Sequence, residues 1–491
     1  MQNIKQKTKY GMLWNAFDKI FVQGLTFVLS IILARLLSPE DYGLIGMLSI
    51  FVALSNVFIE SGFSRALIQK QNRSEVDYST VFIFNVFVSI ILYGILFISS
   101  PYIAQFYKEP KLLPVQRVFF LILIVNSLTT IQTTKLQVEV NFKKLTIINA
   151  LSSIFSGLIG ILAAYNDLGV WALVIQMLSK SIFTFIFLWI TNKWLPTAGF
   201  SFSSFKELFN YGSKLLITGA YGVVLNNIRD LFIGKTYSPS SLGYYTRAKQ
   251  FPEVTVGTMS GVLNTATFPL LASLQNDKEN LVNIFTKLIQ TTALLTFPAM
   301  IGLAILSEPI ILVLLGEKWL FASELLFWLS LSYIFTPFSV LNLNVLNAIG
   351  RSDLFMKVDF SKAPIIILTM IITFPISLKA VAIGNAITAL FYFYINAFMI
   401  GRLFNFGGTK QLLISWRYIV SSFIMGFVLF FLIVVLKTKN IPYSLSILFF
   451  LILIGAIIYL ALLFLLKDSI LKQYWTLLKN KISNIKGIHK L

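Results

Sequence analysis

The residues most able to do chemistry in this sequence are cations set in apolar runs. Lys19, Arg65, Lys180, Lys214 and Arg229 each lie within or at the end of a stretch built mainly from Ile, Leu, Val and Phe. An ionisable side chain at the centre of a membrane helix costs about 2.5–3.5 kcal/mol on insertion scales, so each is a functional candidate. Arg offers a planar fork to an anion and Lys a point charge, so the set suits an anionic headgroup in a low-dielectric groove. The carboxylates Asp18, Asp230 and Glu253 share such settings. Desolvation raises a carboxyl pKa, so any of the three is a candidate carrier of a coupling H+ or Na+. No other cofactor and no metal is expected. There is no cysteine, and the single histidine, His489, lies in the basic tail.

These residues fall on helices by their spacing. Asn15, Lys19, Gln23, Thr26 and Ser30 recur at three- and four-residue steps, with Asp18 beside them. A polar stripe on an otherwise apolar helix faces a cavity rather than lipid. Snorkelling of Asp18 and Lys19 to the near surface is the competing reading. A later helix repeats the pattern with Lys214, Thr218, Asn226, Asn227, Arg229 and Asp230. Neighbouring helix positions point about 100° apart, so Arg229 and Asp230 pair poorly with each other and each needs another partner. An interhelical salt bridge competes here with cavity lining. Asp359 and Lys362, three apart, are placed to satisfy each other.

Composition sets the class. Hydrophobic residues make up 57% of the 491 residues, charged residues 12%, and the mean hydropathy is +0.80. That leaves too little charge to solvate ordinary domain surfaces. Runs of about 20 apolar residues follow one another, giving about fourteen spans near 11–34, 42–68, 80–106, 115–134, 146–165, 170–191, 211–234, 251–272, 283–306, 320–349, 354–375, 380–401, 413–436 and 441–466. The expectation is an all-α polytopic membrane protein. The net charge of +20 would suggest nucleic acid in a soluble chain. Here the basic residues concentrate on one side of the expected topology, which puts both termini in the cytoplasm and excludes nucleic acid as partner. The first apolar run is too long for a cleaved signal and reads as a retained anchor.

The chain also repeats itself. Arg35, Ser38, Pro39 and Gly43 match Lys235, Ser238, Pro239 and Gly243, and each set follows an apolar helix opening with Tyr-Gly, at Tyr10-Gly11 and Tyr211-Gly212. Ser38 and Ser238 are placed to N-cap the next helix, with Pro at its first position. Glu40 and Asp41 favour that first turn through the helix dipole. Two homologous halves with like orientation result: an N-lobe over 1–195 (spans one to six) and a C-lobe over 211–405 (spans seven to twelve). Between them, 196–210 reads as an interfacial amphipathic linker, with Ser204 to Glu207 spaced as a capping box. Residues 406–466 add two spans, and 467–491 form a basic cytoplasmic tail.

Ala34–Gly43, Gly62–Gln69, Leu168–Leu173, Asn226–Lys235 with Ser238–Gly243, and Gly316-Glu317-Lys318-Trp319 resemble bacterial lipid-linked oligosaccharide flippases. The resemblance is to exporters of O-antigen, capsule or colanic-acid type in the multidrug/oligosaccharidyl-lipid/polysaccharide exporter superfamily. It implies two six-helix lobes related by a pseudo-two-fold axis, forming a V-shaped central cavity, plus two C-terminal helices. The implied cargo is an undecaprenyl-diphosphate-linked oligosaccharide, moved from the cytoplasmic to the periplasmic leaflet by alternating access. Substrate-binding residues would then be Lys19, Arg65, Lys180, Lys214, Arg229, Asn15, Gln23 and Asn226. The family pattern has Asn-rich and charged positions that Asn226, Asn227, Arg229 and Asp230 match. Expected surroundings are membrane lipid and the polysaccharide polymerase machinery, with the chain itself monomeric in the bacterial inner membrane. A cation-coupled drug or metabolite antiporter is the alternative. A membrane-embedded polymerase or ligase is disfavoured, because no loop is long enough and no catalytic cluster is evident.

Overall fold

A computed structural model describes residue 14, residues 21–473 and residues 475 and 476. Among the described residues the chain is helical, with no strand. In order, the helices are α1 (Phe21–Leu36), α2 (Pro39–Glu60), α3 (Phe63–Gln69), α4 (Glu75–Ile98), α5 (Ser100–Tyr107), α6 (Leu112–Phe119), α7 (Ile122–Val138), α8 (Phe142–Tyr165), α9 (Val170–Thr191) and α10 (Phe202–Thr236). They continue with α11 (Pro239–Ser273), α12 (Lys278–Ile305), α13 (Ser307–Leu314), α14 (Phe321–Tyr333), α15 (Thr336–Ala348), α16 (Ser352–Phe360), α17 (Ala363–Thr373), α18 (Leu378–Phe404), α19 (Gly408–Ile414), α20 (Trp416–Thr438) and α21 (Leu445–Leu465).

Ten helical stretches among the described residues are long and apolar enough to cross a bilayer. The chain is a multi-pass membrane protein. Four of the expected spans fall outside those ten, each for a readable reason. Span 11–34 is described from Phe21 onward. Span 211–234 is helical but interrupted by Lys214, Arg229 and Asp230, and span 251–272 is helical but rich in Thr, Ser and Asn. Span 354–375 is broken into α16 and α17. Pro364 stands in the first turn of α17, where it lacks an N–H and its ring excludes the carbonyl four residues back.

The chain divides into two compact units, Met1–Arg247 and Ala248–Leu491. In the first unit the repeated motif does what its chemistry suggests. Ser38 caps α2: its Oγ accepts from the Asp41 N–H at 3.3 Å, and its own N–H donates to Asp41 Oδ2 at 2.9 Å. The second copy follows, with the Ser241 N–H donating to Ser238 Oγ at 3.2 Å. The two copies pack on each other reciprocally. A side chain on Gly43 would run into the Pro239 carbonyl, and one on Gly243 into the Pro39 carbonyl. Only a residue without Cβ permits backbones that close.

The second unit carries an echo of the first at the level of buried polar pairs. In the first, Gln132 of α7 accepts from Asn192 Nδ2 at 2.7 Å and donates to the Trp194 carbonyl at 2.9 Å. In the second, Asn342 of α15 and Gln411 of α19 exchange two amide hydrogen bonds of 3.0 and 2.8 Å. Gln411 also donates to the Phe406 carbonyl at 3.2 Å. Each pair ties the fourth span of its half to the chain leaving the sixth.

The expected linker differs in one respect. Its helical part is continuous with the next span, so Phe202–Thr236 is one helix, and Ser201 rather than Ser204 caps it. Ser204 is one turn inside and donates its hydroxyl to Asp77 of α4 instead. The Ser201 N–H donates to Thr80 Oγ1 at 3.0 Å, which holds the helix start against α4.

Candidate functional site: a polar crevice beside Arg65

The site is organised by the break between α2 and α3. Ser61 and Gly62 both take left-handed backbone conformations (φ 43° and 72°), a region Gly enters freely, and this re-aims α3. Phe63, Ala66 and Leu67 then turn into an apolar cluster with Tyr78, Val81, Phe82, Ile131, Trp194 and Leu208. Ser64, Arg65 and Ile68 are left on the opposite face of the short helix. Arg73 closes its C-terminal end, donating to the Leu67 carbonyl at 2.6 Å and the Ile68 carbonyl at 3.1 Å.

That opposite face lines a cavity of about 370 Å³. Its other wall is α7, through Asn126, Thr129, Thr130, Thr133 and Gln137; Asn56 and Glu60 of α2 complete it. Arg65 is exposed to the cavity and makes no contact ion pair among the described residues, although Glu60, on the same wall, lies within reach of its charge. A second cavity of about 160 Å³ shares Thr133 and Gln137 and continues to Thr146 and Asn149 of α8.

The back of α7 is fixed. Beyond the Gln132 bonds, Trp189 Nε1 donates to the Leu128 carbonyl at 3.0 Å. Lys135 pairs with Glu75 at 3.2 Å and lies over the rings of Tyr78 and Trp194. Just beyond the span, Lys70 bridges Asp77 and Glu207, each at 3.0 Å. Burial works to lower the pKa of this ammonium, but the two carboxylates hold it above its ordinary value.

Of the residues singled out by sequence, the structure places only Arg65 in this crevice. Asn15, Asp18 and Lys19 lie outside the described residues. Gln23 is half-buried on α1 and Lys180 half-buried on α9; Lys214 and Asn226 are exposed on α10. Arg229 is half-buried beside the buried Asp230, close to Tyr107; burial, then the Asp230 charge, pushes that phenol's pKa up. Glu253 is already engaged, accepting from the Tyr333 hydroxyl at 2.7 Å with Lys249 Nζ at 3.5 Å. Asp359 and Lys362 pair at 2.7 Å, as their spacing predicts.

Sequence reasoning missed the α7 wall, and of the charges in apolar runs it set Glu60 aside as less informative. A signal was present: Asn126, Thr130, Thr133 and Gln137 follow the same three- and four-residue steps that mark the stripe on the first span. They carry no charge, so a search led by charges passed over them.

Residues 32–324 match the polysaccharide biosynthesis protein family. The chain belongs to that family. Among its relatives, the teichuronic acid biosynthesis protein TuaB of Bacillus subtilis is 26% identical over 82% of this chain and 83% of its own length. The lipopolysaccharide biosynthesis protein WzxC of Escherichia coli is 24% identical, and the aligned part covers 65% of each chain. The fold is that of a solved lipid II flippase, MurJ, in an inward closed conformation: TM-score 0.73 at 18% identity, over 92% of this chain and 98% of that one. A multidrug resistance MATE family transporter of the MOP superfamily superposes with TM-score 0.61 at 14% identity, over 79% of this chain and 98% of that one. In this polysaccharide biosynthesis protein the matched region contains every residue of the crevice.

Proposed function

We propose that this protein is a flippase, not an enzyme, and that it carries an undecaprenyl-diphosphate-linked oligosaccharide from the cytoplasmic to the periplasmic leaflet by alternating access. The observation that carries the reading is Arg65: a guanidinium without a contact ion pair among the described residues, facing a polar crevice within a membrane bundle of a polysaccharide biosynthesis family member. An accessible guanidinium whose fork is not taken up by a contact ion pair is available to an anion. A diphosphate supplies that anion and matches the planar fork. The hydroxyls and amides opposite suit the sugar, while the prenyl tail stays in lipid. Both termini lie in the cytoplasm of a cell whose inner membrane holds the protein, and a H+ or Na+ gradient is a candidate driving force. A drug antiporter of the same fold, taking small cations, would gain nothing from Arg65.

Reconstitution into vesicles with a fluorescent lipid-linked oligosaccharide tests this. Protein-dependent loss of one leaflet's label to the other is expected. If authentic cargo stays in its leaflet at every protein density and with either ion gradient imposed, the reading fails.

A further inference from the structure

The uncharged wall of the crevice has a geometry of its own. Asn126, Thr130, Thr133 and Gln137 stand at steps of four, three and four on α7, which places all four within about 60° of arc and spreads them over roughly 16 Å of axis. Asn149 of α8 extends the row into the adjoining cavity, which Thr133 and Gln137 also line. All five are half-buried: reachable, but not in bulk water.

Their hydrogen bonding is incomplete in a patterned way. Thr130 spends its proton on the Asn126 carbonyl at 3.1 Å, and Thr129 on the same carbonyl at 2.7 Å, so both present lone pairs to the crevice. Asn126, Thr133, Gln137 and Asn149 make no side-chain hydrogen bond to a partner among the described residues. The opposite face of the same helix is fully engaged by Gln132 and the Leu128 carbonyl. Amides and hydroxyls with spare hydrogen-bonding capacity therefore stand along one edge while the back is clamped. Amides and hydroxyls in partial burial are the groups that exchange bonds with vicinal hydroxyls. A row without charge neither repels an acidic sugar nor holds a neutral one too tightly to leave.

The geometry points to a division of the crevice: Arg65 takes the phosphate end of the cargo, the α7 row beside it takes the first sugar, and the row continues through Thr133 and Gln137 to Asn149 as a rail for the sugars beyond. The rail sets specificity by glycan length. This rests on the flippase reading above and adds a prediction that reading does not make. A cargo bearing one sugar stays in the cavity that Arg65, Asn126, Thr130, Thr133 and Gln137 line together; a cargo bearing several linked sugars also reaches Asn149 in the adjoining one.

The test compares two cargoes in the same vesicles: a fluorescent prenyl diphosphate bearing a single hexose, and one bearing three or more linked sugars. Asn149→Leu removes the far bonds with little change of volume. Asn149→Ala does so with a smaller side chain, which guards against one variant failing to fold; abundance in the membrane is measured for both. Each variant is expected to slow the long cargo by about tenfold, the loss of one to two hydrogen bonds, and to leave the single-sugar cargo at the wild-type rate. Asn149→Gln should restore part of the rate for the long cargo when set against Asn149→Leu. Equal slowing of both cargoes, or of neither, overturns the rail. Wild-type protein moving neither cargo overturns the flippase reading itself.

Discussion

Arg65 of the first unit and three lysines of the second handle charge in different ways. In the second, Lys362 sits 2.7 Å from Asp359, Lys437 2.6 Å from Glu308 and Lys249 3.5 Å from Glu253. Each ammonium has a carboxylate, and in two of the three pairs that partner is a helical neighbour on the same strip of chain. In the first unit Arg65 faces a cavity with no such partner among the described residues, although Glu60 is five positions away. Charge that is answered locally holds a structure together. A cation without a contact ion pair keeps its hydrogen-bond donors available to an anion that arrives.

The sharpest test of that contrast is Arg65→Gln. It removes a charge-assisted contact worth about 1.5–3 kcal/mol, so flipping of lipid-linked cargo should fall by roughly ten- to a hundredfold with membrane abundance unchanged. Arg65→Lys should recover part of the rate, since a point charge replaces the fork. Unaltered transport with Gln at 65 would erase the distinction between the units. Next in size is the close approach of the two motif copies. Gly43→Leu or Gly243→Leu forces backbone apart and should cost about 1–3 kcal/mol or more, seen as lower abundance and a lower unfolding midpoint in detergent. Gly94→Leu, at a position with open space around it, serves as the control.

The amide pairs give a third comparison. Asn342→Leu strands a Gln411 amide that is fully buried, whereas Gln132→Leu strands Asn192, which is half-buried and can turn to water. The first should destabilise by about 1–3 kcal/mol and the second by less. Pairing Asn342→Leu with Gln411→Leu should recover part of the loss, because two apolar groups leave nothing unsatisfied. A double variant as unstable as the sum of the singles would mean that the pair is not acting as a unit.

Much of this was legible in the sequence because it depends on local chemistry. Ser38-Pro39 dictates a capped helix start, apolar runs dictate spans, and Asp359 and Lys362 at three-residue spacing dictate an ion pair. The reciprocal seat of Gly43 on Pro239 was half legible: the repeat is visible, but its two copies being each other's partner is a tertiary fact. The crevice was least so. Arg65 stood out by its charge, yet its wall is made of Thr, Asn and Gln on α7, whose spacing is clear only once a helix is known to face water there. The fusion of 202–210 with the following span escaped for a similar reason. Ser201 and Ser204 both have cap chemistry, and Asp77, far off in sequence, decides between them by claiming the Ser204 hydroxyl.

Smaller effects bound the contrast from the other side. Lys362→Met should leave transport within twofold of wild type and cost less than about 1 kcal/mol, the usual scale of a partly exposed pair. A transport loss matching that of Arg65→Gln would instead recruit the second unit into cargo binding.

Smallest of all is the solvated pair Arg351–Asp353, which supplies the reference for a charge that answers only its neighbour. Arg351 donates to both carboxylate oxygens at 2.9 Å. Those bonds draw the Asp353 pKa down to about 2. A carboxyl depressed below its unfolded value, near 3.9, stabilises the fold above that value and ceases to do so as pH falls through about 2. The unfolding midpoints of wild type and Asp353→Asn should therefore differ by a small, constant amount from pH 7 to pH 5 and converge below pH 4. A gap that opened or closed between pH 5 and 7 would show that another titrating group governs it, and the pair would no longer serve as a reference for local charge compensation against which Arg65 is judged.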